Sequence, residues 1–244
     1  MIVLFTDFGV TGPYVGQVKA ILARQAPGIP VIDLFSDAPA CNPKAAAYLL
    51  AAYVEEFSVG TVFLGVVDPG VGGQRNAGCL LADGRWFVGP DNGLFEIVAR
   101  RAREMPRWRE LDVSADAISA TFHGRDVFAP AAALLACGAM PDGRDRPLAE
   151  IRRPNWPDDL AEVIYVDGFG NAMTGLRADQ VPDGRGLDVG GVLLARARTF
   201  SDVPPGTAFC FENANGLIEI AINRGRASEL FGLKIGAPVK ISGM

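Results

Sequence analysis

Histidine is nearly absent from this 244-residue chain: His123 is the only one. A single imidazole cannot supply the two or three nitrogen ligands that a histidine-built metal centre usually needs. Cysteine is sparse as well. Cys41, Cys79, Cys137 and Cys210 lie far apart and form no Cys-x-x-Cys pair. That excludes a zinc-binding pattern and a dense disulfide framework, and leaves reduced, mostly buried thiols as the simplest account. Basic clusters are missing. The net charge is -5, and the densest run, Arg101, Arg103, Arg107 and Arg109, reads as a solvated helix face and its exit. Both features argue against a nucleic-acid partner. No stretch approaches the roughly 20 apolar residues of a spanning helix, so no membrane partner is expected. The apolar run at the start is broken by Asp7, which predicts no secretion leader and a cytoplasmic protein. There is no internal repeat, no low-complexity tract and no Gly-Lys-Ser/Thr phosphate loop.

What is present is an ordinary globular composition, 49% hydrophobic and 21% charged, in a chain long enough for one large domain or two small ones. The first half alternates strand and helix patterns: strands at 2–5, 29–35 and 61–67, helices at 14–25 and 43–57. That β-α-β-α-β order predicts a parallel sheet with right-handed crossovers. Two further strands, 78–82 and 86–89, flank an Asp83-Gly84 hairpin turn. A helix over 94–103 follows Pro90-Asp91-Asn92-Gly93, then a short strand over 108–112. The apolar segment 127–137 predicts a helix, with Asp126 at its N-cap and Pro130 in its first turn. Residues 142–159 are charged and carry Pro147, Pro154 and Pro157, which marks a boundary.

Beyond it, short strands at 161–166, 207–211, 217–222 and 238–241, an apolar 187–194 with a Gly-Gly break, and a helical turn at 228–232 suggest a small barrel or sandwich. The fold class expected is therefore α/β: an N-terminal α/β sandwich with a largely parallel central sheet (1–151), a linker (152–158) and a smaller C-terminal β-barrel domain (159–244).

Three apolar strands run into an acid-and-glycine turn, at Asp7, Asp68 and Asp167. A rigid strand is a good mount for a carboxylate, and open α/β sheets bind ligands beyond the carboxyl ends of their strands. The Asp68-Pro69-Gly70 turn is followed seven residues on by Arg75, a permanent cation. The bland alternative is a solvated turn, since Asp and Gly are common there. His123 stands in Phe122-His123-Gly124-Arg125-Asp126, just before a helix N-terminus, where the dipole favours a neutral imidazole able to accept a proton. A structural loop histidine is the competing reading. An oxygen-ligand Mg²⁺ site built from Asp7, Asp68 and Asp126 also stays open. Phe8, Trp86, Phe169 and Phe211 could stack on a flat ring; core packing suits most of them better, but Phe169 lies between two glycines.

Taken together, Thr6-Asp7-Phe8-Gly9, Val67-Asp68-Pro69-Gly70-Val71-Gly72 with Arg75, Gly89-Pro90-Asp91-Asn92-Gly93, the His123 motif and Asp167-Gly168-Phe169-Gly170-Asn171 stand in an order that resembles the S-adenosyl-L-methionine (SAM) hydroxide adenosyltransferase family, the adenosine-forming SAM hydrolases related to fluorinase and chlorinase. The final segment 213–236 is similar too, and the resemblance covers nearly the whole chain.

It implies attack of water or hydroxide on C5′ of SAM, giving adenosine and L-methionine. It implies a homotrimer with sites at subunit interfaces, SAM as substrate, no cofactor and no metal. The family's catalytic set maps onto Asp68, Arg75 and His123. Its substrate contacts map onto Asp7 for the ribose, Phe8, Asp167 for the ammonium, Phe169 and Asn171 for adenine, and Asn215 and Arg224 in the last segment. Where the halogenases carry a Tyr this chain has Asp68, which favours water as the nucleophile. Two departures are Ala214, where a Ser is common, and the loop Pro39-Ala40-Cys41-Asn42, which lacks the family's usual Asp or Trp.

Whether Asp68 or His123 takes the proton is not decided by the sequence. The rival readings are a SAM or adenosine sensor without turnover, a halide-using relative, a Mg²⁺-dependent phosphohydrolase and a methyltransferase.

Overall fold

The computed structural model describes residues 1–113 and 118–243. The chain divides into two compact units, Met1–Pro154 and Asn155–Met244.

In the first unit, strands β1 (Ile2–Thr6), β2 (Val31–Phe35) and β3 (Val62–Val66) alternate with helices α1 (Tyr14–Gln25) and α2 (Pro43–Tyr53). β4 (Ala77–Ala82), β5 (Arg85–Pro90), helix α3 (Glu96–Arg101), β6 (Arg107–Leu111), helix α4 (Ala129–Ala136) and β7 (Gly143–Arg146) follow. They build a seven-stranded sheet in the order β2-β1-β3-β5-β4-β6-β7. The β2-β1-β3-β5 half is parallel, as the strand-helix alternation predicts, and β4, β6 and β7 join it antiparallel.

Central strands buried on both faces explain the continuous apolar runs in the sequence. On one face Ile2, Leu4, Val62, Leu64 and Val66 pack with Val18 and Leu22 of α1 and Phe128, Ala129 and Ala132 around α4. The other face is aromatic. Phe63 stacks on Phe87 with ring centroids 4.9 Å apart, and Phe35 bridges Phe5 and Tyr53 edge to face. The Asp83-Gly84 turn has both residues at positive φ, 44° and 72°, which matches the twist of the two-residue hairpin between β4 and β5.

Two local expectations are corrected. The helix expected over 127–137 begins only at Ala129, after a π-helical turn over Gly124–Phe128, and Asp126 does not cap it. Instead Asp126 accepts the backbone N–H of Ser119 at 2.9 Å and grips Arg125, because the wider turn carries its side chain back along the preceding loop. The charged stretch after residue 142 also holds a strand the sequence pattern missed: β7 (Gly-Arg-Asp-Arg) pairs with β6 through Arg109–Asp145 and Arg144–Glu110 ion pairs rather than through apolar side chains.

In the second unit, β8 (Leu160–Val166), β9 (Ala172–Arg177), β12 (Ala208–Glu212) and β13 (Leu217–Ile222) form a four-stranded antiparallel sheet in the order β12-β13-β9-β8. A three-stranded sheet holds β10 (Leu187–Val189), β11 (Val192–Leu194) and β14 (Lys240–Ile241). Helix α5 (Ala227–Leu230) is a single turn. Among the described residues neither of these two sheets closes on itself, and the strands expected to form a barrel stand in them. The unit's core joins both through Val163, Leu187, Val189, Ile218 and Ile220.

Candidate active site

In the first unit the site forms where β1 and β3 end side by side. Thr6 is in register with Val66, so the next residues, Asp7 and the Val67-Asp68 pair, leave the sheet together. Asp7 N–H donates to Val66 O at 3.3 Å, and its carboxylate accepts the backbone N–H of Cys41 at 2.9 Å. Cys41 holds φ at 55°, an uncommon conformation for a non-glycine residue, which marks a loop shaped around the Asp7 carboxylate. Burial raises the Asp7 pKa, the hydrogen bond from Cys41 opposes this, and the charge of Asp68 adds to the rise. Asn92 supports the end of β3: its amide donates to Val67 O at 2.8 Å while its oxygen caps Leu94 N–H.

Arg75 returns to the same place. Its Nε lies 3.0 and 3.1 Å from the two oxygens of Asp68, and its Nη2 bonds Asp68 Oδ2 as well. The pair is shielded: the Asp68 side chain is 5% exposed and that of Arg75 12%. The guanidinium carbon sits 5.3 Å from the Phe128 ring centre, which packs its apolar face. The same Nη2 lies 2.9 Å from His123 Nδ1, so Asp68, Arg75 and His123 form one continuous hydrogen-bonded chain. His123 is half-buried, and its pKa is lowered, first by burial and then by the Arg75 charge, with Asp68 and Asp126 opposing. The lowered pKa agrees in direction with the neutral imidazole expected at this position, with burial and the Arg75 charge as its causes in place of the helix dipole.

The loop that carries His123 is clamped at several points. Arg125 reaches Gln17 of α1 at 2.9 Å and lies over the Phe122 ring. Phe8, Tyr14 and Phe122 form an edge-to-face and tilted aromatic trio, with centroids 5.3 to 6.1 Å apart. Phe8, expected among the substrate contacts, therefore packs the Asp7 loop against the His123 loop. A Cβ on Gly124 would lie 2.8 Å from the Phe8 ring, so only glycine permits this approach.

The second unit carries Asp167, Phe169, Asn171, Asn215 and Arg224 around one cavity of about 700 Å³, a size suited to a nucleoside-sized ligand. Asp167 holds its own turn: Oδ1 accepts the N–H groups of Phe169 and Asn171 at 2.9 and 2.8 Å, and Oδ2 accepts Asn171 Nδ2 at 3.1 Å. Phe169 is thereby presented at the cavity, 78% exposed, unlike a core aromatic. In the β12–β13 hairpin, Asn213 Oδ1 accepts the N–H groups of Asn215 and Leu217, both at 3.0 Å.

Sequence reasoning missed Glu219, which lines the cavity from β13 and accepts Asn213 Nδ2 at 2.9 Å. Burial raises its pKa. The available signal was a lone acid in the otherwise apolar run Leu217–Ile222. Among the described residues no group of three or more His, Cys, Asp or Glu side chains could hold a metal ion, and Asp7, Asp68 and Asp126 do not form one. No helix of the described chain is long and apolar enough to cross a membrane.

Comparison with known proteins bears on both units. The model of the SAM hydroxide adenosyltransferase N-terminal domain matches residues 2–144, and that of the C-terminal domain matches residues 161–240. The chain is 43% identical over 251 residues to the (R)-S-adenosyl-L-methionine hydrolase of Thermus thermophilus, covering 97% of each. It is 37% identical over 252 residues to the (R)-S-adenosyl-L-methionine hydrolase of Salinispora arenicola, covering 97% of this chain and 95% of the relative. Among solved structures, an uncharacterized conserved protein from Thermotoga maritima aligns with a TM-score of 0.82 and 32% identity over 99% of both chains.

Proposed function

The chain belongs to the SAM hydroxide adenosyltransferase family, and we propose from that premise that it hydrolyses S-adenosyl-L-methionine to adenosine and L-methionine by in-line attack of water or hydroxide at C5′. The observation that carries the mechanism is the Arg75 guanidinium bonded at once to Asp68 and to His123 beside the carboxylate of Asp7.

The sulfonium of SAM leaves as a neutral thioether, so no acid is needed to protonate the leaving group. The difficulty lies in holding a poor nucleophile in line with the C5′–S bond. Positioning of this kind is worth up to about 7–11 kcal/mol. Asp7, fixed by its strand and by Cys41, is suited to grip the two ribose hydroxyls and so set the height of C5′. Asp68 and His123, joined through Arg75, face the nucleophile. In the second unit, the cavity with Phe169 and Asn171 receives the adenine, and Asp167 the ammonium of the methionine part. Glu219 adds a second carboxyl to that cavity.

The assembly proposed is a cytoplasmic homotrimer in which each site combines the triad of one subunit with the cavity of a neighbour. What supports it is that each unit carries one half of the required chemistry. The R configuration in the relatives' names is extended to this chain as its preferred sulfonium epimer. The scheme uses no cofactor and no metal ion. Incubation with SAM in EDTA should yield adenosine and methionine at the full rate. S-adenosylhomocysteine would indicate a methyltransferase, unchanged SAM a sensor, and a rate restored only by Mg²⁺ a metal-dependent reaction; each would overturn the proposal.

A further inference from the structure

The hydrogen-bond chemistry at Arg75 distinguishes the roles of Asp68 and His123. A guanidinium carries five N–H donors and no acceptor. Its Nη2 lies 2.9 Å from His123 Nδ1, so that nitrogen must present a lone pair. We therefore assign the neutral imidazole its proton at Nε2. An Nε2–H group cannot accept a proton. Nδ1 could do so only by leaving Arg75 and turning an N–H toward a fixed cation.

Asp68 is differently placed. It takes three contacts from Arg75, all from one side: Nε to Oδ1 and Oδ2, and Nη2 to Oδ2. A carboxylate has about four lone-pair sites, so Asp68 keeps room for a further donor.

We propose that His123 acts as a neutral Nε2–H donor to the nucleophile's oxygen and not as its base, and that Asp68 accepts the water proton. This rests on the reading that the chain hydrolyses SAM. In the step, one O–H bond of water breaks and its proton passes to the Asp68 carboxylate. The oxygen lone pair forms the new bond to C5′. The C5′–S bond breaks with its electron pair going to sulfur, so the sulfonium becomes the thioether of methionine. His123 keeps its proton throughout, and the Asp68 carboxyl then releases the transferred proton to solvent.

Because His123 is the only histidine, ¹⁵N NMR of the untagged, labelled full chain near pH 7.5 reads one imidazole without any substitution. The expected pattern is a lone-pair Nδ1 and a protonated Nε2. A protonated Nδ1, whether as the opposite tautomer or as imidazolium, would overturn the assignment.

A second arm uses SAM turnover. In His123→Gln the amide nitrogen reaches the place of Nε2 and keeps a donor there, whereas in His123→Asn the amide reaches only the place of Nδ1. With both variants folded, His123→Gln should keep kcat within about ten-fold of the parent. His123→Asn should lose about 100-fold or more, within the span usual for removing one hydrogen-bond donor to a reacting oxygen. Equal losses in the two variants would overturn the donor role. If the unmodified chain itself forms no adenosine, the hydrolase reading falls and the proton transfer to Asp68 with it, while the NMR arm still decides the tautomer.

Discussion

Asp7 and Asp68 are neighbouring carboxylates with different surroundings, and the difference sets their expected roles. Asp68 is paired with the Arg75 cation, and its proposed place is beside the nucleophile. Asp7 is held by a backbone N–H, with burial pushing its pKa up. Asp68→Ala should therefore lower kcat by about 10²–10⁴ with a smaller change in KM. Asp7→Ala should chiefly raise KM, by roughly 10- to 100-fold for the loss of hydrogen bonds to a charged group at about 1.5–3 kcal/mol. Steady-state kinetics on both variants would expose a reversed assignment if Asp68→Ala saturated poorly yet turned over normally.

The pH profile follows from His123. The groups facing it are Asp68, Arg75 and Asp126, and its pKa lies below the ordinary 6.5 through burial and the Arg75 charge. A lowered pKa means that the neutral form dominates at pH 6.5 and above. The step in kcat/KM from His123 protonation should accordingly appear only on acidification below pH 6.5 and vanish in His123→Gln. A His123-dependent step above pH 6.5 would contradict this.

At the level of elements, the strand ends and their loops hold the site, and these were the readable part of the chain. Thr61–Val67 shows as an apolar run stopped by Asp-Pro-Gly because a strand buried on both faces leaves no polar position until it emerges. The Asp83-Gly84 turn was readable because few residue pairs tolerate two positive φ values. β7 was not, since Gly-Arg-Asp-Arg pairs through charges and shows no apolar alternation. Nor was β9, whose Ala172 and Gly175 offer little hydrophobic signal; a Cβ on Gly175 would lie 2.6 Å from the Leu160 Cβ and 2.9 Å from its carbonyl oxygen. Asp126 was misplaced because a π-helical turn moves the helix start by two residues, and sequence spacing does not report turn width. In the site, residue types were legible. The contacts of Phe8 with Phe122 and of Asp7 with the Cys41 backbone depend on loops that meet only in three dimensions.

One element-level feature stands apart from the chemistry. Glu96 opens α3 with its side chain 1% exposed and binds Arg100, Arg152 and the backbone N–H of Arg153. It thereby ties the chain's exit from the first unit to a helix. Glu96→Ala would strand Arg100 and Arg152 around an emptied acceptor, a change worth about 3–5 kcal/mol for a buried pair. Thermal unfolding should fall by on the order of 10 °C. A shift of under about 2 °C would mean that the cluster is solvated and contributes little.

For the whole molecule, the trimer proposal has a direct consequence. Asp68→Ala and Asp167→Ala chains should each be poorly active alone, the first in turnover and the second in binding. Refolded together, they should recover activity, because some interfaces then pair an intact triad with an intact cavity from another subunit. Light scattering should give about three times the 25.8 kDa chain mass. Mixed trimers that form without any recovery would contradict interface sites.

The central claim concerns which bond breaks, and isotope labelling reads it most directly. Hydrolysis of SAM in ¹⁸O-water, followed by mass spectrometry of the nucleoside, should place one ¹⁸O in the 5′-hydroxyl of adenosine and none in methionine. Unlabelled adenosine, or label in an amino-acid product beside methylthioadenosine, would mean that water does not attack C5′.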